Sequence, residues 1–384
     1  MSFIPYGRQN ITDDDIAAVV KCLKSDFITQ GPAVTEFENK LANFCGAKYA
    51  LSASNATACL YLAYRALGLA LGDVLWTVST SFVATSNMAL QLGASVEFID
   101  INPDDFLLDV DLLEHKLQIA KVENKLPKIV VPVHLTGLSC DMKRISELSK
   151  KYGFKIVEDA SHAIGASYLG SKVGSCEFSD ACVFSFHPVK IITTGEGGMV
   201  TTNSQELLDN MSLNRSHGVT RDADLLQNEV PGEWYYEQLD LGFNFRLTDI
   251  QAALGSSQMD RLKDNINTRN VLALHYHELL KDLPVKLQKQ YDDIISSYHL
   301  FVILCENYEQ KKTLFSYLRE SGIGVNVHYI PIHTQPYYQK LGFKKGDFPV
   351  SEDYYERVIS IPMFYGLKPE EQEYVVNKIS DKLF

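Results

Sequence analysis

Val74-Leu75-Trp76-Thr77-Val78, then residues 82–92, then Ser95-Val96-Glu97-Phe98-Ile99-Asp100 form the stretch that decides the fold. Two short apolar, β-prone runs bracket a segment of helical length, the pattern of a β-α-β unit. The alternation continues with a predicted helix over 110–121, a strand over 128–133, a helix over 142–152 and a strand over 155–157. Near-continuously apolar strands separated by helices predict an α/β protein whose largely parallel sheet is covered by helices on both faces. Such sheets bind ligands at the carboxyl ends of their strands.

Upstream, two amphipathic helices are predicted. Residues 12–24 place Ile16, Val19, Val20 and Leu23 at helical spacing behind a threonine and acids, and residues 34–44 place Phe37, Leu41 and Phe44 on one face. The turn Thr29-Gln30-Gly31-Pro32 separates them, and the strand Tyr49-Ala50-Leu51-Ser52-Ala53 follows.

Three segments where a strand gives way to a turn carry chemistry. In Ser54-Asn55-Ala56-Thr57-Ala58, small and hydroxylated residues open a helix, leaving N–H groups and hydroxyls where the dipole favours an anion such as phosphate. Plain N-capping by Ser54 or Thr57 accounts for the same residues. In Glu158-Asp159-Ala160-Ser161-His162, the acid Asp159 follows Ile156-Val157 and needs a cation or hydrogen-bond donors. A cap or salt bridge for Asp159 and a backbone-bonded core histidine for His162 stand beside a cofactor role for each. In Phe184-Ser185-Phe186-His187-Pro188-Val189-Lys190, an apolar approach delivers one lysine to a turn, and Thr193-Thr194-Gly195-Glu196-Gly197-Gly198 follows. On a solvated loop such a lysine is inert; buried, its ammonium is disfavoured and the neutral amine attacks carbonyls. A Schiff-base lysine, an aspartate for a pyridinium nitrogen and a phosphate cup are together what pyridoxal phosphate requires.

Composition narrows the partners. With 384 residues and 46% hydrophobic content, the chain can bury a large core in two or so domains. A formal charge of -12 opposes binding to nucleic acid or to an anionic membrane. No apolar run is long enough to span a bilayer, and no basic segment followed by an apolar one opens the chain, so the cytoplasm is the expected location. Seven cysteines without a C-x-x-C pair signal neither zinc nor a disulfide framework, and no metal is expected near His162. A helical run over 251–280 leads away from the sheet. Strands over 283–287, 299–304 and 325–329 with helices over 310–321, 352–358 and 369–383 then predict a smaller α+β domain. The expected division is 1–252, including the N-terminal arm, and 253–384.

Motifs along the whole chain tie these parts together. Gln30-Gly31-Pro32, 54–58, 158–165, 185–198, Leu241-Gly242-Phe243-Asn244-Phe245-Arg246-Leu247-Thr248-Asp249 and Val327-His328-Tyr329-Ile330-Pro331-Ile332-His333 stand in this order. They resemble the sugar aminotransferases of the DegT/DnrJ/EryC1/StrS family. His187 to Lys190, 193–198, 329–331 and Gln335-Pro336-Tyr337-Tyr338 are most similar to its pseudaminic acid branch.

The resemblance implies the type I fold of pyridoxal-phosphate-dependent aminotransferases: a large domain with a mixed, mostly parallel sheet, a smaller C-terminal α+β domain, and a homodimer with shared active sites. It implies Lys190 as the lysine that carries the cofactor, Asp159 on the pyridine nitrogen, Phe82 stacked on the ring and His162 near its phenolic oxygen. Thr57, Ala58 and Ser185 match phosphate contacts. Asn244 matches a residue reaching the partner subunit's site, with Arg246 either assisting there or held in a structural ion pair. Tyr6, Asp26, Phe27, Ile28, Thr29, Ala56, Ser185, Asn244, Asn326, His328 and Tyr329 match substrate-contacting positions. The implied substrates are a UDP-linked 4-keto sugar and L-glutamate. Many members carry glycine at Ala56 and glutamine at His162, and neither departure removes an essential group. Relatives with histidine in place of the lysine act as dehydratases, so Lys190 implies transamination. The rival readings are amination of another nucleotide ketosugar, of bacillosamine or perosamine type, and a non-catalytic regulator or binding module.

Overall fold

The alternating stretch lies at one end of a seven-stranded sheet in the computed structural model, which describes residues 3–384. Its strands begin with β1 (Tyr49–Ala53), β2 (Val74–Val78), β3 (Ser95–Ile99), β4 (Ile129–Val131) and β5 (Lys155–Asp159). A small hairpin, β6 (Ser167–Tyr168) and β7 (Ser171–Lys172), intervenes before β8 (Ala181–Ser185) and β9 (Gly198–Thr202). The sheet order is β1-β9-β8-β5-β4-β2-β3, parallel throughout except for β9, which runs antiparallel to both neighbours. Alternate side chains feed opposite faces. Leu75, Ile129, Val131, Val157 and Val183 pack with Leu60, Leu62 and Tyr64, whereas Trp76, Val130 and Ile156 pack with Leu113, Leu117, Ile145 and Leu148. Both faces are therefore buried, as the apolar strands predicted.

The helices of this part are α1 (Asp13–Leu23), α2 (Pro32–Cys45), α3 (Ala56–Ala66), α4 (Ala84–Gln91), α5 (Val110–Glu123), α6 (Met142–Tyr152) and α7 (Gln205–Arg215), followed by the hairpin β10 (Val219–Thr220) and β11 (Glu237–Gln238). The helical run expected over 251–280 is two helices, α8 (Asp249–Met259) and α9 (Leu262–Leu280). Side chains at the break are tied to the N-terminal helices: Asp260 pairs with Lys40 at 3.0 Å, and Arg261 reaches Asp15 at 2.9 Å and Thr12 at 2.9 Å. Helix α8 packs on α1 and α2, and Gly255 lets the Phe37 ring approach where a Cβ would lie 2.5 Å from it. Residue 252 thus falls inside a helix of the large layer; α9 is the element that leads onward.

The C-terminal part holds β12 (Lys286–Leu287), β13 (Ile294–Ile295), β14 (Phe301–Leu304), α10 (Tyr308–Glu320), α11 (Pro336–Gln339), α12 (Pro349–Arg357), β15 (Val358–Ile361) and α13 (Pro369–Leu383). An antiparallel sheet in the order β12-β14-β15 shares a core with α9, α10 and α13 through Tyr276, Phe301, Leu314, Ile359 and Val375. Strand β13 pairs instead with β6 of the large part. Residues 325–329, expected as a strand, make one bridge only, Asn326 with Ser360. There the Asn326 side chain accepts the Val327 N–H at 2.8 Å, replacing a ladder bond. The helix expected to reach Val358 ends at Arg357, because Val358-Ile359-Ser360-Ile361 is taken by the sheet. All seven cysteines are free and buried. Among the described residues no helix is long and apolar enough to cross a membrane, and no cluster of metal-ligating side chains occurs.

Candidate active site

A cavity of about 530 Å³ opens at the carboxyl ends of β5 and β8, bounded by the start of α3, the segment after β2, and His328 and Tyr329. Its anion-accepting corner is the first turn of α3. The cap there is Asn55, whose side chain accepts the Ala58 N–H at 2.8 Å, rather than Ser54 or Thr57. Ala58 is consequently buried with its N–H committed, and it does not line the cavity. Ala56 and Thr57 do line it, and as the first two helical residues their N–H groups have no intrahelical acceptor. Gly198 makes this corner possible, since a Cβ there would meet the Ala56 nitrogen at 2.5 Å. Ser185, the last residue of β8, lies on the cavity wall.

Asp159 ends β5 and is 6% exposed. Its carboxylate accepts the Thr85 hydroxyl at 2.6 Å and the Ser161 N–H at 3.1 Å. With the Thr85 proton committed, the Ser81 hydroxyl is the donor in the 3.0 Å Ser81–Thr85 contact. Lys190 shares the cavity with Asp159, on a turn closed by its own N–H donating to the His187 carbonyl at 2.9 Å. Among the described residues the amine makes no hydrogen bond and has no carboxylate within 4.0 Å. Burial draws its pKa down to about 8 against the opposing pull of Asp159, so the free, nucleophilic amine is far more populated near neutrality than in an ordinary lysine.

His162 is 6% exposed and takes the Thr136 N–H on Nδ1 at 3.3 Å. That assigns its proton to Nε2, which donates to the Tyr329 hydroxyl oxygen at 3.0 Å. Burial, then the nearby Lys190 and His328, hold the imidazole well below its ordinary pKa, so it stays neutral. Tyr329, pushed upward by burial, keeps its own proton and is left with a hydroxyl to donate into the cavity. His328 bonds Ser360 at 2.8 Å and is drawn down to about 4 by burial and by Lys190. Phe82 is 60% exposed beside Tyr329, ring centroids 6.1 Å apart, offering a bare aromatic face to a planar ligand. Tyr6 enters from the N-terminal arm, its carbonyl fixed by the Met363 N–H at 3.0 Å.

Other expected residues lie elsewhere. Asn326 sits behind His328, its amide nitrogen 3.4 Å from Nε2. Asp26, Phe27, Ile28 and Thr29 are exposed on a turn held by Asp249, which accepts the N–H groups of Gly31 and Ala33 at 2.7 and 2.9 Å. Asn244 is exposed too, and neither it nor that turn lines the cavity of the single chain. Arg246 makes no ion pair among the described residues. Sequence reasoning missed Thr85 and Ser81, although the run of hydroxylated residues at 79–81 and 85–86 closing β2 is the same kind of signal as 54–58. It also missed Thr136, which donates to His162, and the cavity-lining positions of Glu196 and His187.

The groups fit pyridoxal phosphate: open N–H groups at a helix start for the phosphate, a buried carboxylate for the ring nitrogen, a bare aromatic face and an unpartnered lysine. The family model described as the DegT/DnrJ/EryC1/StrS aminotransferase family matches residues 9–380. A UDP-4-amino-4,6-dideoxy-N-acetyl-beta-L-altrosamine transaminase of Campylobacter jejuni is 39% identical over 97% of this chain and 95% of its own. The solved structure of Helicobacter pylori PseC, an aminotransferase involved in the biosynthesis of pseudoaminic acid, is 34% identical with a TM-score of 0.91, covering 100% of this chain and 99% of that one. The Streptococcus pneumoniae protein Spr1654 in its PLP-form is 28% identical with a TM-score of 0.89, each chain covered in full at 100%. On these matches, added to the geometry, the chain belongs to the DegT/DnrJ/EryC1/StrS aminotransferase family, and the cofactor its site is built for is pyridoxal phosphate.

Proposed function

We propose that the protein transfers the amino group of L-glutamate to C-4 of UDP-2-acetamido-2,6-dideoxy-β-L-arabino-hex-4-ulose, giving UDP-4-amino-4,6-dideoxy-N-acetyl-β-L-altrosamine. The observation that carries amino transfer is Lys190, an unpaired amine in a cavity shared with the buried Asp159. The relatives named for that sugar and its pathway support the substrate. Pyridoxal phosphate supplies an electron-withdrawing ring that spreads the charge left when a proton is removed beside the nitrogen. Ala56 and Thr57 would hold its phosphate through backbone N–H groups, with Ser185 opposite, and Phe82 would cover the ring. Asp159 would keep a proton on the ring nitrogen, itself held by Thr85 and Ser161. Freed by the incoming donor, the Lys190 amine takes the α-proton of glutamate, and in the second half it returns a proton to C-4 of the sugar, setting the configuration of the new amine.

Lys190 is the only lysine or arginine lining the cavity among the described residues, too few cations for a diphosphate and a dicarboxylate. Asn244, Arg246 and the 26–29 turn would therefore complete the site of a second copy, in a homodimer. Exposed Phe27, Ile28, Leu241 and Phe243 on that surface support the pairing. Incubation with glutamate and separately purified C-5 epimers of the UDP-ketosugar, with the products identified by mass and NMR, tests the assignment. A 4-amino product from the L-arabino epimer is expected; exclusive turnover of the other epimer would move the substrate to the bacillosamine type.

A further inference from the structure

We propose that the buried chain Ser79–His333–Glu352 is a positioning device for the active-site walls, with His333 at its centre. It rests on the reading of the cavity as a pyridoxal phosphate site and goes beyond it, because none of the three residues lines that cavity. Ser79 directly follows β2 and stands three residues before Phe82; His333 stands four residues after Tyr329. The two arms of the chain thus end in the two aromatic walls of the site.

The geometry specifies one arrangement. The Glu352 carboxylate can only accept, so the ring nitrogen facing it carries the proton, Nδ1 is left to accept the Ser79 hydroxyl proton at 2.6 Å, and the hydroxyl oxygen accepts the backbone N–H of His333 at 3.2 Å. The ring proton is then on Nε2 and donates to Glu352 at 2.9 Å, and the same carboxylate oxygen accepts the Gly346 N–H at 2.6 Å. A further tie, from the Ile332 N–H to the Ser79 carbonyl, measures 2.9 Å. Order and spacing look like a hydrolytic triad, but Ser79 and His333 are 0% exposed, which leaves no room for a substrate at the serine. A satisfied buried polar network of this kind serves to fix position.

Helix α12 extends the device. Its first turn is anchored to the large sheet by Asp100, whose carboxylate accepts the N–H groups of Val350 and Ser351 at 2.8 Å each and the Ser351 hydroxyl at 2.6 Å. From the same helix Glu352 holds His333, and the Tyr354 hydroxyl donates to the His328 carbonyl at 3.0 Å. The 328–333 segment is thereby gripped at both ends and referenced to β2 and β3. Across the cavity, Ser81 and Thr85 carry the same rigidity to Asp159.

The test compares wild type with Ser79→Ala, His333→Leu and His333→Gln after loading with pyridoxal phosphate, reading visible-region circular dichroism of the bound cofactor, kcat and KM for the UDP-ketosugar, and melting temperature. Ser79→Ala and His333→Leu are expected to bind the cofactor with altered dichroism and to lose on the order of ten- to a hundredfold in kcat, as small misplacements do. His333→Gln, whose amide oxygen can accept from Ser79 while its nitrogen donates to Glu352, is expected to recover most of both. Wild-type dichroism and kcat in both loss variants, with only the melting temperature lowered, would overturn the proposal. Should His333→Leu fail to fold, Ser79→Ala decides, since it deletes a single hydroxyl. Wild-type protein that takes up no pyridoxal phosphate would overturn the cofactor reading itself, a result separable from any difference among variants.

Discussion

Asp159 is expected in its own chain's cavity and Asn244 at a partner subunit's, and the molecule treats the two differently. Asp159 is buried on the cavity floor with two donors on its carboxylate, whereas Asn244 is exposed on a segment away from the cavity. The same contrast separates Lys190, Thr57, Ser185 and Phe82, which meet in one cavity, from Asp26, Phe27, Ile28 and Thr29, which do not. The floor is assembled from strand ends and helix starts of one sheet, so a single chain completes it. The rim is assembled from exposed turns, and in the proposed homodimer a second chain brings it to the floor.

Changes on the floor should have the largest effects. Lys190→Ala is expected to lose at least about four orders of magnitude in kcat, the upper range for a general acid–base group. Residual turnover within tenfold of wild type would remove Lys190 from the chemistry. Asp159→Asn is expected to cost on the order of 10² to 10³ in kcat with the protein still folded, since a preorganised charge is lost where charge develops. An unchanged kcat would show the ring nitrogen to be held elsewhere.

The rate of cofactor uptake by apoprotein reports on Lys190 directly. Its neutral form is the nucleophile, so protonation as the pH falls through about 8 should slow uptake about tenfold per pH unit, with a plateau above. A plateau beginning only near pH 10.4, the ordinary lysine range, would contradict the burial argument.

For the rim, Arg246→Ala is expected to raise KM for the UDP-sugar about tenfold, as loss of a charge-assisted contact does, with little change in kcat. Mixed with Lys190→Ala and assayed at UDP-sugar concentrations well below KM, where Arg246→Ala is slow, it should restore activity above either variant alone, because a hybrid dimer holds one intact floor facing one intact rim. No restoration would place floor and rim in the same chain. The smallest effect is expected for His162→Gln: glutamine can donate to Tyr329 as Nε2 does, and kcat should stay within about threefold.

Much of this was legible in the sequence because it follows from local pattern. Continuous apolar runs at β2, β4 and β5 mark the parallel layer, and the placement of Asp159 at the end of the strand that carries Ile156-Val157, one residue beyond Glu158, marks its burial. Lys190 was ambiguous alone and became a cofactor anchor only through its order with Asp159 and the 54–58 turn. What escaped depends on contacts distant in sequence. Thr85 matters because it reaches a carboxylate 74 residues away, and the cap is Asn55 because the helix starts at Ala56, which leaves Ser54 one residue too early, its N–H donating to the Phe245 carbonyl at 2.7 Å. The break between α8 and α9 falls where Asp260 and Arg261 reach the N-terminal helices, contacts that no helical period reveals.

The most direct test of the central claim is borohydride reduction of pyridoxal-phosphate-loaded protein, followed by digestion and mass spectrometry. The account predicts a pyridoxyl adduct on the peptide containing Lys190 and its absence from Lys190→Ala. A loaded wild-type protein with no adduct, or with its adduct on another lysine, would contradict it.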